Sequence, residues 1–137
     1  MRVFSFLVAL LIAGVAAYVP ATGGGGAQPD AERGKYLAEN VAMCIQCHTP
    51  RDEAGDLLMS HKFQGAPIPF QSPFPNDRWA NTAPSIVGLP QYTTDQAERL
   101  LRTGISRTGN YLRPPMPQFR MNEGDARDII AYLKTMR

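Results

Sequence analysis

The pentapeptide Cys44-Ile45-Gln46-Cys47-His48 constrains this chain more than any other stretch of it. It uses both of the chain's cysteines and one of its two histidines within a single short segment. A C-x-x-C-H spacing is the signature of covalent haem attachment. On a helix, thiols three residues apart share a face, where each can add to a haem vinyl group. His48 then lies beneath the iron and supplies a proximal nitrogen ligand, while the thioethers keep the porphyrin in place. A chain built this way folds around a large planar group, and in a small domain that group supplies much of the centre.

Other chemistries use paired cysteines. A redox-active dithiol sits at the end of a strand in a βαβ pattern, whereas residues 35–43 read as helix. A structural zinc site needs four ligands, which Cys44, Cys47, His48 and His61 could supply. The histidine directly after the second cysteine, with a thioether available later, favours haem over zinc. A plain disulfide at this spacing would close too short a loop to staple much chain.

The rest of the chain divides into three parts. One arginine and then an uncharged apolar run over residues 4–19 resemble a secretory signal, and export to the periplasm or the outer face of the cytoplasmic membrane is the expectation. Residues 1–21 serve either as a cleaved signal or as a retained anchor, because the run also reaches the low end of a membrane-spanning length. With no cysteine near the cut, lipid attachment there is excluded. Residues 22–29, with four consecutive glycines, form a flexible linker that would let a tethered domain swing. Residues 30–137 make one small domain.

The formal net charge of +2 conceals an asymmetry. Residues 30–98 carry a net −4, and residues 99–137, with Arg99, Arg102, Arg107, Arg113, Arg120 and Arg127, a net +5. Such a dipole can orient the domain against an acidic partner, in which case reversing charge at Arg107 and Arg113 would slow docking mainly at low salt. Equally, the arginines could form a solvated face or neutralise haem propionates. No motif for nucleic-acid binding is present.

Periodicity predicts three or four helices joined by long loops, hence an all-α fold. Asp30 can cap a helix over residues 31–40, in which Gly34 leaves bare backbone for a close crossing. Thr93 and Gln96 have capping-box spacing ahead of Ala97, Leu100 and Leu101, and Gly104 ends that helix. Asn122 with Asp125 caps a last helix carrying Ala126, Ile129, Ile130, Tyr132 and Leu133. Between them, four prolines in residues 65–75 forbid continuous helix and disfavour strand.

The sixth iron position decides what the haem can do. Met116 lies in Arg113-Pro114-Pro115-Met116-Pro117, whose prolines stiffen the backbone enough to hold a side chain against the iron. A thioether opposite His48 favours ferrous iron and blocks oxygen chemistry. Met121, Met59 and His61 are the other candidates for that position, although Met121, beside the cap Asn122, also reads as a core residue, and Met59 and His61 as free loop residues. Met43 and Met136 read as packing residues. If the sixth position were open, the competing class would be a gas sensor or peroxidase-like haem module.

With these parts in order, the domain resembles a class I cytochrome c. Arg33-Gly34-Lys35-Tyr36-Leu37 is similar to the family's first helix, Cys44-Ile45-Gln46-Cys47-His48 to its haem motif, and Met116-Pro117 ahead of Asp128-Ile129-Ile130-Ala131-Tyr132-Leu133 to its distal loop and last helix. The resemblance implies a small all-α cytochrome c fold and one haem c on Cys44 and Cys47, with His48 and Met116 as iron ligands. It also implies a first and last helix that cross at Gly34 and Tyr132. A proline carbonyl should hold His48, with Pro50 and Pro67 as candidates. Trp79-Ala80-Asn81-Thr82 and Leu101-Arg102-Thr103-Gly104 are similar to segments of cytochrome subunits of periplasmic dehydrogenases. The expected activity is single-electron transfer between redox partners, such as a dehydrogenase, an oxidase or another membrane complex. No bond-making catalysis is implied, and residues 3–19 would be the membrane tether.

Overall fold

The computed structural model describes residues 28–75 and 78–137. The apolar N-terminal segment, with its expected signal or anchor, lies outside them, as does most of the glycine linker. No helix among the described residues is long and apolar enough to cross a membrane.

Local signals start and stop the helices as expected. Helix α1 spans Ala31–Tyr36, and the Asp30 carboxylate accepts from the Glu32 and Arg33 amides at 2.9 and 3.1 Å. Helix α2 is the haem motif itself, Cys44–His48. Helix α3, Thr94–Thr103, opens with the reciprocal Thr93/Gln96 capping box and closes at Gly104, whose φ of 74° is left-handed. Helix α4, Glu123–Thr135, opens where the Asn122 side chain accepts from the Asp125 amide at 2.8 Å.

Two expectations about local structure need correction. The first helix does not run as a regular α-helix to residue 40. It widens after Tyr36 into a π-helical stretch, Leu37–Val41, closed by the Ala42 amide donating to the Leu37 carbonyl. The wider turn accompanies complete burial of Ala38 and places Glu39 against the core side. The proline-rich segment also contains a strand after all. β1, Ala66–Pro67, pairs antiparallel with β2, Thr82–Ala83, as a two-residue ladder. Pro67 is tolerated because β1 is an edge strand that needs no further amide donors. The all-α architecture stands, with this ladder the only sheet among the described residues.

Helix α1 packs across α4, with α3 on another side of α4. At the first crossing a Cβ on Gly34 would come within 1.9 Å of the Asp128 carbonyl oxygen. Only glycine permits that approach. Gly34 thus meets the backbone at Asp128 and Ile129, one turn before the expected Tyr132. Polar contacts frame the crossing: the Asp30 amide donates to Asp128 at 2.8 Å, and Arg33 pairs with both Asp125 and Asp128. Ile129, Ile130, Leu133, Ala126, Leu101 and Phe63 form the buried core beneath.

Tyr132 instead has its ring edge-on to Phe63, with centroids 6.1 Å apart, and its hydroxyl donates to Glu39. Glu39 also accepts from Lys35 and Lys62, at 2.8 and 2.7 Å. Burial works to raise the Glu39 carboxyl, but the hydrogen bonds from Lys35, Lys62 and Tyr132 outweigh it and hold the group at about 2. This cluster ties the π-helical stretch, the loop at Lys62 and α4 together.

Candidate haem site

The cysteine helix begins at a sharp corner. Met43 has φ 55°, a left-handed conformation rare for a side chain of its size, and its carbonyl accepts from the Gln46 amide at 3.0 Å. The corner separates α2 from the π-helical stretch and sets Cys44, Cys47 and His48 on the wall of one cavity of about 510 Å³. Met43 itself is 46% exposed and borders this cavity, so it is a rim residue and not the packing residue expected.

His48 is 6% exposed, and its Nδ1 lies 2.7 Å from the Pro84 carbonyl oxygen. A carbonyl can only accept, so Nδ1 carries the proton and Nε2 keeps its lone pair. This is the arrangement that fixes ring orientation and tautomer for metal ligation. Burial pushes the imidazole below its ordinary range, with the Pro84 bond opposing, and so also favours the neutral ring.

Pro84 replaces both expected candidates. The Pro50 carbonyl is occupied by the Leu58 amide at 2.9 Å, and Pro67 lies in β1, paired across to Thr82. Pro84 directly follows β2, and Gly65, which precedes β1, makes the close approach feasible. Gly65 has φ +89°, donates its amide to the His48 carbonyl at 2.8 Å, and would place a Cβ within 2.9 Å of the Pro84 carbonyl carbon. The segment Trp79-Ala80-Asn81-Thr82 was already conspicuous in the sequence, but nothing local to it points at His48.

Met116 lines the same cavity, on the loop between α3 and α4. Its amide donates to the Arg113 carbonyl at 3.2 Å, closing a turn over Pro114 and Pro115, whose peptide bond is cis. The other sulfur and nitrogen candidates are elsewhere. Met59 and His61 are exposed, with His61 hydrogen-bonded to Ser60, and Met121 packs against the core, its amide donating to Leu101. Met136 also packs against the core.

A porphyrin suits these residues. The cavity falls within the range of cofactor pockets. Ile68, Leu89, Leu100, Ile129 and Leu133 give it an apolar lining, while the thiols and the oriented imidazole occupy one wall. A zinc reading fits poorly, because among the described residues no three His, Cys, Asp or Glu side chains cluster as metal ligands. A redox dithiol fits poorly too. Burial pushes the Cys44 thiol up to about 11, opposite to the depressed value a reactive thiolate needs.

Several arginines of the basic half are engaged within the fold. Arg127 and Arg102 pair with Glu98 at 2.9 and 2.8 Å, and Arg99 donates to the Ser106 carbonyl. Arg113 donates from Nε to the Arg78 carbonyl and from a terminal nitrogen to the Trp79 carbonyl, both at 2.9 Å. It is a fastening within the fold as well as a surface charge, a role the sequence did not disclose.

Comparison with known proteins agrees with this geometry. The chain is 32% identical over 112 residues to the fructose dehydrogenase cytochrome subunit of Gluconobacter japonicus. That alignment covers 79% of this chain and 21% of the relative, so the chain spans about a fifth of that protein's length. Residues 31–137 match the cytochrome c family, and with the Cys44, Cys47 and His48 signature on the wall of a porphyrin-sized cavity the chain belongs to that family of haem electron carriers.

Proposed function

We propose that this protein is an exported monohaem carrier of single electrons, with haem c bound through Cys44 and Cys47 and the iron held between His48 and Met116. The observation that carries the reading is the buried His48 ring, locked by Pro84 with Nε2 free, on a cavity that Met116 also lines. When bound, the haem supplies one-electron chemistry at its iron. The protein's contribution is mechanical and dielectric. Cys44 and Cys47 clamp the group, His48 is held in one tautomer, and the apolar lining excludes water from the iron. The proline-braced Met116 thioether would supply the sixth ligand and limit movement between oxidation states.

The redox partner we favour is a dehydrogenase, because the relative from Gluconobacter japonicus is a dehydrogenase cytochrome subunit. On this reading residues 1–21 are the export signal or a retained anchor, and residues 22–29 the linker that lets the haem domain reach its partner.

Two measurements test the proposal. An intact mass on haem-loaded protein reports covalent attachment and N-terminal processing together; Cys47→Ser should leave haem on a single thioether. Wild-type protein should be low-spin with the sulfur-to-iron charge-transfer band, and Met116→Ala should lose that band. Its potential should fall by on the order of 0.1 V, a fraction of the ~0.8 V that axial ligands span. A high-spin wild type that binds carbon monoxide as fast as Met116→Ala would overturn the ligand assignment and favour a gas-binding module.

A further inference from the structure

The Met116 loop has an unusual anchoring problem. Pro114, Pro115 and Pro117 have no amide hydrogen, so the segment that would present the thioether has few backbone donors of its own. Its stiffness fixes its internal shape but not its position relative to the rest of the cavity. That position is set by donors from outside the run. The Ala80 amide donates to the Pro114 carbonyl at 2.7 Å, and the Arg113 guanidinium reaches the Arg78 and Trp79 carbonyls, both at 2.9 Å. All three bonds end on residues 78–80. Four residues further along the same segment, the Pro84 carbonyl holds His48 at 2.7 Å, and β2 between them is paired to β1.

We infer that Arg113 is a positioning residue for the iron's sixth ligand, fastening the Met116 loop to a strap of residues 78–84 whose far end orients His48. The strap sets the spacing of both ligand supports through one short stretch of backbone. A guanidinium suits this role because its planar fork can serve two neighbouring carbonyls at once, which an ammonium cannot do with the same rigidity. The turn closed by the Met116 amide on the Arg113 carbonyl carries the constraint from the clamp to the thioether. The inference rests on Met116 being the ligand, and it adds how that ligand is kept in place.

The test uses haem-loaded full-length protein carrying Arg113→Ala, Arg113→Lys, Arg107→Ala or Met116→Ala. The readouts are the charge-transfer band, the midpoint potential and the rate of carbon monoxide binding to the ferrous form. Arg113→Ala should weaken the band, lower the potential and speed carbon monoxide binding about tenfold, the size expected for losing a charge-assisted hydrogen bond. Arg113→Lys should restore only part of this, although it keeps the charge. Arg107→Ala, which removes an exposed arginine without touching the strap, should match wild type. If Met116→Ala loses the band while Arg113→Ala and Arg113→Lys both match wild type in all three readouts, the positioning role is wrong and the ligand assignment stands. If Met116→Ala itself keeps the wild-type band, both fall. Should Arg113→Ala fail to fold, Arg113→Lys decides: a full match to wild type overturns the clamp, and a weakened band with faster carbon monoxide binding supports it.

Discussion

The two walls of the cavity are built by different means. Around His48 the chain is helical and dense: α2 abuts the π-helical stretch, α1 crosses α4 at bare backbone, and Phe63, Ala38 and Ile129 are fully or almost fully buried. Around Met116 there is loop, held by prolines, one guanidinium and single backbone bonds, with Tyr111 exposed in the same loop and Phe74 exposed in the proline-rich one. The first wall draws its stability from apolar burial, which is collective and hard to disturb locally. The second draws its geometry from a few polar bonds, each of which can be lost alone. In an electron carrier this division has a use. On the proposed ligation, the end that carries Cys44 and Cys47 needs permanence, whereas the Met116 end needs accurate placement without much buried surface.

The largest effect that would break this contrast is expected at the helix crossing. Gly34→Ala would press a methyl group against the Asp128 carbonyl, and since both sides are backbone the helices must separate. Chemical denaturation should show a loss of about 3 kcal/mol or more. A loss below about 1 kcal/mol would mean that the dense wall is softer than its packing implies.

Next is the acid limb of stability, which reports on the Glu39 cluster. Its folded value of about 2 lies below the ordinary carboxylate value near 4.5, so its contribution is fully present above about pH 4.5. The contribution is lost as pH falls through about 2. Glu39→Gln should therefore cost about 2 kcal/mol near neutral pH and flatten the fall in stability between pH 5 and 2. Parallel acid titrations of wild type and variant, followed by unfolding at each pH, would show whether the two curves converge. Curves that stay parallel would remove Glu39 from the acid response.

The smallest effect belongs to the loop side. Phe74 is 76% exposed, and Phe74→Ser should shift unfolding by less than about 0.5 kcal/mol. A shift of 2 kcal/mol there would erase the distinction between a wall held by burial and a wall held by individual bonds.

Legibility followed the same division between local and long-range bonds. Asp30, the Thr93/Gln96 box, Gly104 and Asn122 were readable because each acts within four residues of itself, and local geometry alone decides whether such bonds form. The all-α fold and the haem family were legible for a related reason: the pentapeptide and the apolar stripes of α3 and α4 are periodic patterns. The carbonyl for His48 was not. Pro84 is 36 positions away, and any of several prolines satisfies the chemistry until β1 and β2 pair and Gly65 lets one approach. Likewise Arg113 read only as part of the basic half and Glu39 carried no signal, since a charged residue gives no sign of its partners until packing brings them within reach.

The sequence by itself determined the cofactor class, through two thiols and an imidazole at a spacing one helical turn enforces, and it singled out Met116 by the prolines around it. Tertiary structure alone decided which backbone would meet which. Gly34 meets the backbone of Asp128 and Ile129, Pro84 holds the imidazole, and Arg113 fastens the loop to residues 78 and 79. The physical reason is that local bonds close within a turn and depend on nearby residue types, whereas bonds between distant segments form only after the core has set those segments side by side.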